Sequence, residues 1–327
     1  MTFMDDTDVH PFSLIDKNVW VAGHAGMVGS ALVRRLERER CTILTESHDS
    51  LDLTRQADTE DWMKSRRPQA IFIAAARVGG IVANSRYPAD FLYINAMIAF
   101  NVMKTAADIG VEKLLWIGSS CIYPKFADQP IRETALLSGR LEVTNEAYSV
   151  AKIAGIKLAE AYKQQHGKHF LSVMPTNLYG PGDNFDLETA HVLPALIRKM
   201  HEAKISGRNS VVLWGTGTPM REFLHVDDMA DACVHLMKCY DEQDIVNIGS
   251  GDEISIRDLA TVVAKVVGYQ GHVVCDASKP DGTPRKLVDA SKLRSLGWTP
   301  STRFMDGVHD VYMSWQRSGY ATRAANG

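Results

Sequence analysis

Short, nearly unbroken apolar runs punctuate the chain and alternate with longer stretches in which apolar residues recur every three or four positions. "NVWVAG" (18–23) precedes "GMVGSALVRRLERER" (26–40), "CTILT" (41–45) precedes a helical pattern at 56–66, and "AIFIAAA" (70–76) precedes one at 88–109. "KLLWIGS" (113–119) and "FLSVMP" (170–175) bracket a further helical pattern at 146–166. Apolar runs without alternation are the mark of strands covered on both faces, and the intervening amphipathic segments supply the cover. The pattern predicts an α/β fold with a doubly wound parallel sheet of Rossmann type.

After "PTNLYGPGDN" the character changes to short strands, brief helices and Gly/Pro turns such as "WGTGTPMREF" and "KPDGTPR". Residues 17–177 are therefore expected to form a dinucleotide-binding domain, and 178–327 mostly a smaller C-terminal α/β substrate-binding lobe. "VNIGSG" (246–251) is expected to return as a strand to the main sheet. The first 16 residues are acidic and carry no basic-then-apolar signal, so they are expected to be a frayed leader. No internal repeat or low-complexity stretch stands out.

Composition narrows the classes. Hydrophobic content of 45% and charged content of 23% over 327 residues describe a soluble globular chain with ample material for a core. A net charge of −3 gives no electrostatic case for nucleic acid or an anionic membrane as partner. No stretch approaches the ~18 uninterrupted apolar residues of a membrane span. Five cysteines, Cys41, Cys121, Cys233, Cys239 and Cys275, are an odd number without C-x-x-C spacing. That argues for reduced thiols in the cytoplasm and against a structural metal.

"GHAGMVG" spaces Gly23, Gly26 and Gly29 as G-x-x-G-x-x-G between the first strand and first helix. Gly23 suits the tight turn, Gly26 lets backbone approach a pyrophosphate, and Gly29 lets the helix pack closely. The helix N-terminus adds free N–H groups and a positive dipole end. At the end of the second strand, Glu46 and His48 occur without an arginine. Taken alone, a carboxylate there leans towards NAD, since it suits a ribose 2′-hydroxyl.

Tyr148 and Lys152 stand four apart on a helical pattern and share a face. Spacing alone favours an ordinary surface pair. Ser119, at the end of the fourth strand where such sheets meet their ligands, adds a hydroxyl that can bond the same substrate oxygen. An ammonium near Tyr148 is expected to lower its pKa and ready it for proton exchange with a carbonyl. Cys121 follows Ser119 by two positions, and a thiol of ordinary pKa ~8.5 can serve as base or acid towards protons next to a ketone. His191 is its leading candidate partner. Position along the chain leaves a buried structural thiol and a solvated histidine equally open.

Ser119, Tyr148-x-x-x-Lys152 and the glycine triplet together resemble the extended short-chain dehydrogenase/reductase superfamily, and "REFLHVDDMA" (221–230) resembles its sugar-nucleotide members. "AAARVGGIVAN", "GSSCIYPK", "SVMPTNLYGP" and "DASKPDGTPRK" narrow the resemblance to a branch of GDP-sugar epimerase–reductases, over residues 18–300. The 4,6-dehydratases of the superfamily carry an Asp-Glu pair where Ser120 and Cys121 stand, so the resemblance disfavours dehydration. It implies an enzyme that inverts C3 and C5 of GDP-4-keto-6-deoxy-D-mannose and then reduces the C4 ketone; a sibling that inverts C5 only is the alternative. In that reading Tyr148 is the acid/base at C4, Lys152 tunes it and holds the nicotinamide ribose, and Ser119 orients the carbonyl. Cys121 and His191 form the base/acid pair for the inversions.

The resemblance further implies cofactor contacts from Gly23, His24, Ala25, Gly26, Met27, Val28 and Gly29, from Pro175, Thr176, Asn177 and Leu178, and from Lys152 and His191. Substrate contacts map to Lys199, Trp214, Arg221 and Asp281, with Lys199 in place of the family's arginine. NADPH is the implied cofactor, with NAD left open because Ala25 and Glu46 occupy positions where arginines are expected. The implied assembly is a homodimer built on the helices at 88–109 and 146–166.

Overall fold

A computed structural model describes residues 11–279 and 281–319. The first half runs β1 (Asn18–Ala22), α1 (Met27–Leu36), β2 (Thr42–Leu44), α2 (Gln56–Arg66), β3 (Ala70–Ile73), α3 (Ile81–Arg86), α4 (Pro88–Ile109), β4 (Lys113–Ile117), α5 (Glu146–His166) and β5 (Phe170–Pro175). The second half continues β6 (Asn177–Tyr179), α6 (Val192–Ile205), β7 (Ser210–Trp214), β8 (Met220–His225), α7 (Val226–Cys239) and β9 (Val246–Ile248). It ends with β10 (Glu253–Ser255), α8 (Ile256–Val267), β11 (His272–Asp276), β12 (Arg285–Lys286), α9 (Ser291–Ser295) and α10 (Phe304–Arg317).

The main sheet has the order β2-β1-β3-β4-β5-β9, and every pairing in it is parallel. The lack of alternation in the sequence has a direct cause. Val19, Val21, Phe72, Leu115 and Val173 point into a core shared with α1 and α7. Their neighbours Trp20, Ile71, Ile73, Leu114, Trp116 and Met174 point into a second core under α4 and α5. Both faces are dry, so both sets of positions are apolar. β9 docks beside β5 as the returning strand.

A third cluster, smaller than the other two, joins Leu193, Ile197 and Met200 of α6 to Leu259 and Val263 of α8 and to Val308, Val311 and Trp315 of α10. It lies under a short sheet of β10, β8 and β12 with β6 alongside, and under the parallel pair β7–β11. This is the material of the second lobe.

Three boundaries differ from the periodicity. α1 stops at Leu36, because Arg40 takes a left-handed φ of 50° that swings the chain into β2. β3 stops at Ile73; the following alanines leave the sheet to pack against the glycine turn described below. Of the segment expected to be a frayed leader, residues 1–10 lie outside the described residues. Within residues 11–16 the chain is anchored at two points, Phe12 and Leu14, while Pro11, Ser13, Ile15 and Asp16 are exposed. Leu14 is 1% exposed in the α1/α7 core, and Phe12 N donates to the Lys238 carbonyl at 2.7 Å.

Leu14→Ala tests that correction. Truncating a fully buried leucine costs about 2–5 kcal/mol, read as a lowered urea midpoint at unchanged slope. An unchanged midpoint would restore the frayed reading.

Candidate active site

The sheet order reverses direction between β1 and β3, which opens a crevice at the C-terminal ends of those strands. Gly23 turns the chain there with φ +85°, and a Cβ on it would lie 2.5 Å from Ala75 N. A Cβ on Gly29 would lie 2.0 Å from the Gly23 carbonyl oxygen, so α1 seats directly on the turn. Gly26 meets nothing closer than 3.6 Å and, with Ala25, faces solvent. It is the N-cap of α1, with no side-chain cap and no acid in the first turn. The first-turn N–H groups of Met27, Val28 and Gly29 therefore point their donors and the dipole end into the crevice. His24 Nδ1 is buried there without a partner. A bare N-terminus, an open glycine and an orphaned donor or acceptor fit a dinucleotide's diphosphate.

The end of β5 borders the same crevice. Thr176 N donates to Ile248 O at 3.0 Å, and the Asn177 amide donates to the Glu222 carbonyl at 2.8 Å. Pro175 closes β5, and Leu178 lies in β6 beside β8. At the end of β2, Glu46 does not project freely. Its carboxylate accepts from Trp62 Nε1 at 3.1 Å, which turns one oxygen towards α2.

Ser119 ends β4 in extended backbone, and its hydroxyl accepts from Cys121 N at 3.2 Å, starting a single 3-10 turn over Ser120–Ile122. α5 lies tight against β4 because Gly155 has no side chain; a Cβ would sit 2.7 Å from the Trp116 ring. Ser149 of α5 donates to the Cys121 carbonyl at 2.9 Å. These contacts fix Tyr148, Ser119 and Cys121 relative to one another.

The Tyr148–Lys152 pair departs from expectation in one respect. Lys152 Nζ donates to Ile117 O at 2.8 Å and stands 4.1 Å from the Trp116 ring centroid but 5.8 Å from that of Tyr148. Burial lowers its pKa to about 7. Burial also pushes the Tyr148 phenol well above its ordinary value, the nearby Cys121 thiolate adds to this, and the Ser119 hydroxyl opposes it. The phenol thus stays protonated at neutral pH and acts as a donor; the expected depression by the ammonium is absent.

Lys286 was not singled out by sequence reasoning, yet its Nζ donates to Cys121 Sγ at 3.4 Å across 165 residues of chain. Burial is the largest single influence and pushes the Cys121 thiol up, but the Lys286 charge and hydrogen bonds with Ser119, Lys286 and Asn145 together outweigh it. The net result is a pKa below the ordinary thiol value. His191 stands at the N-cap position of α6 without a side-chain cap bond. Desolvation of the imidazole, foremost, and the Lys286 charge depress its pKa. One ammonium is thus the shared electrostatic neighbour of both groups. No spacing rule links Lys286 to Cys121; only the fold of "DGTPRK" back over the crevice does so.

The substrate candidates form a continuous arc. Lys199 Nζ stands 5.6 Å and Lys279 Nζ 5.7 Å from the Trp214 ring centroid, and that ring is 61% exposed. Asp281 accepts from Thr216 N at 2.9 Å and Thr216 Oγ1 at 2.7 Å. Arg221 has its pKa lowered by burial, while Asp281 and Cys121 pull it the other way. Arg221 therefore bridges the arc electrostatically to the thiol. Among the described residues, no three His, Cys, Asp or Glu side chains are disposed to hold a metal ion.

The chain belongs to the NAD dependent epimerase/dehydratase family, whose model matches residues 19–249. Within it, the similarity is to GDP-L-fucose synthases: GDP-L-fucose synthase 1 of Arabidopsis thaliana is 57% identical over 303 residues, 92% of this chain and 94% of that one. GDP-L-colitose synthase of Yersinia pseudotuberculosis is 35% identical, over 89% of this chain and 95% of that one. A solved GDP-L-fucose synthetase from Naegleria fowleri bound to NADP superposes with a TM-score of 0.87 at 28% identity, covering 96% and 98% of the two chains.

Lys286→Met tests the thiol's environment. Removing the cation raises the Cys121 pKa, so alkylation by iodoacetamide at pH 7 slows about tenfold for each unit of rise, measured against a Cys121→Ser blank. An unshifted pH–rate profile would remove Lys286 from the account.

Proposed function

We propose that the chain converts GDP-4-dehydro-6-deoxy-D-mannose to GDP-L-fucose by inverting C3 and C5 and then reducing the C4 ketone. The observation that carries this reading is a thiol of lowered pKa, Cys121, lodged within the Ser119/Tyr148/Lys152 group that activates a ketone. A reductase alone has no use for it. The greater identity to GDP-L-fucose synthases than to GDP-L-colitose synthase favours two inversions over one.

NADP(H) is the cofactor. The turn from Gly23 to Gly29 and the N-terminus of α1 hold its diphosphate, and Lys152 with Pro175, Thr176, Asn177 and Leu178 border its nicotinamide end. When bound, it supplies the hydride for C4. The chain's own residues do the rest. Ser119 and Tyr148 hydrogen-bond the C4 oxygen, which acidifies the hydrogens on C3 and C5 by stabilising the enolate. The Cys121 thiolate removes such a proton. His191 returns one to the opposite face of the carbon; its lowered pKa keeps the ring mostly neutral at pH 7, so this step is expected to slow as pH rises. In the reduction, Tyr148 gives its phenolic proton to the C4 oxygen. Lys152, titrating near neutrality, replaces it. Lys199 and Arg221 hold the diphosphate of the substrate, with Arg221 as the directional fork, while Trp214 and Asp281 complete the contact.

The exposed faces of α4 and α5 suit a homodimer. Leu92, Tyr93 and Phe100 of α4 and Val150 of α5 remain exposed although both helices are packed on the sheet. A second copy of the same pair would cover them as a four-helix bundle. The five free thiols suit the cytoplasm, and no helix among the described residues is long and apolar enough to cross a membrane.

Two variants separate the steps. Cys121→Ser keeps NADPH binding and loses most deuterium incorporation at C3 and C5 during turnover in heavy water. Tyr148→Phe retains measurable incorporation but loses about 10²–10⁴ in C4 reduction. Incorporation undiminished in Cys121→Ser, read by NMR, sinks the role given to the thiol. For the assembly, sedimentation should show a dimer for the wild type and monomer for Tyr93→Glu; a monomeric wild type removes the dimer.

A further inference from the structure

Glu222 lies beside Arg221 on β8 and is fully buried. A carboxylate with no access to water persists only where hydrogen bonds replace its hydration. Glu222 has them from two separate segments. Oε2 accepts from Val288 N at 3.0 Å, and Oε1 accepts from Gly251 N at 2.8 Å. The space is shaped for it, since a Cβ on Gly249 would lie 2.4 Å from Oε1 and 2.7 Å from the Val288 side chain.

Val288 follows Lys286 by two residues. β12, which carries Lys286, is only two residues long and is the outer strand of its sheet. Its register sets Lys286 opposite Arg221. A two-residue outer strand has little ladder of its own, and a slip of one residue would turn Lys286 to the other face, away from Cys121. Leu287 is held from outside the sheet, its N–H by Gln129 Oε1 at 2.9 Å and its carbonyl by Ile131 N at 2.8 Å, and the Ile131–Val288 bridge lies at the same place; the Glu222–Val288 bond adds the restraint from the interior of the sheet.

We propose that Glu222 is a positioning residue that locks the register of β12, so that Lys286 is held on the Cys121 sulfur and the thiolate is available for proton abstraction. The claim rests on the reading of Cys121 as the epimerising base, but its first test does not require substrate. The charged and titratable groups around the thiol are Lys286 from β12, Arg221 from β8 and Tyr148 from α5, with Lys286 also acting on His191 at the start of α6. Among the described residues Glu222 makes no hydrogen bond to the thiol, and its influence is assigned to the placement of Lys286.

The test is the pH profile of Cys121 alkylation by iodoacetamide in the full chain. Glu222→Gln places an amide N–H₂ against one of two backbone donors, and the alkylation rate at pH 7 should fall about tenfold. Combined with Lys286→Met, it should add no further loss, because both changes remove the same interaction. NADPH affinity reports that the variant is folded. Gly249→Ala displaces the carboxylate without deleting it and should shift the profile in the same direction, which covers the case of an unfolded Glu222→Gln. A wild-type profile in folded Glu222→Gln, or losses that add in the double variant, overturns the proposal. A wild-type chain that alkylates as expected yet fails to exchange C3 and C5 hydrogens of the substrate would overturn the functional reading and leave the role of Glu222 standing.

Discussion

A parallel sheet buried on both faces leaves only one place to put chemistry, the loops at the C-terminal ends of its strands. The nucleotide turn and the Ser119 and Thr176 segments obey that constraint, while Tyr148 and Lys152 reach the same crevice from α5 and Lys286 from β12. The glycine turn leaves β1, the Ala74–Ala76 segment leaves β3, Ser119 leaves β4, and Thr176 leaves β5. Where β1 parts from β3, the turn and the alanine segment come within van der Waals contact, and only a glycine at 23 allows it. The crevice is therefore a consequence of strand order, and the ends of β1, β4 and β5 bring the nucleotide turn and the ketone-activating residues to it.

Within the crevice, the pKa of the thiol is lowered chiefly by a cation from β12, with Arg221 of β8 also coupled to it. Lys286 contacts the Cys121 sulfur and acts on His191, so the first lobe's thiol takes its character from a strand near the other end of the chain. Tyr148 responds in the opposite sense, being held protonated by burial and by the thiolate beside it. A base and a proton donor thus stand side by side around one carbonyl, their ionisation states pushed apart by neighbours and burial, as acid/base chemistry at neutral pH requires.

The sheet, its flanking helices and the nucleotide turn were legible in the sequence because they depend on local patterns: continuous apolar runs, amphipathic helices and spaced glycines. Helices over 56–66, 88–109 and 146–166 follow directly from those patterns. The packed stretch around Leu14 was not legible, since an acidic start with scattered apolar residues looks like an unfolded leader until α7 is seen to cover it. Lys286 and Glu222 were also hidden. Neither sits in a spaced motif, and each acquires its role through contacts across dozens to hundreds of residues. The electrostatics of Tyr148 and Lys152 were misjudged for a related reason: helical spacing sets a shared face, but the Ile117 carbonyl and the Trp116 ring decide where the ammonium rests.

The most direct test of the account is the fate of the hydrogens next to the ketone when reduction cannot occur. The wild-type chain, incubated with GDP-4-dehydro-6-deoxy-D-mannose in heavy water with oxidised NADP in place of NADPH, should wash deuterium into both C3 and C5, as followed by proton NMR. Deuterium at C5 alone would make the chain a single-site epimerase, and deuterium at neither carbon would contradict the assignment of the Cys121 thiol to proton abstraction.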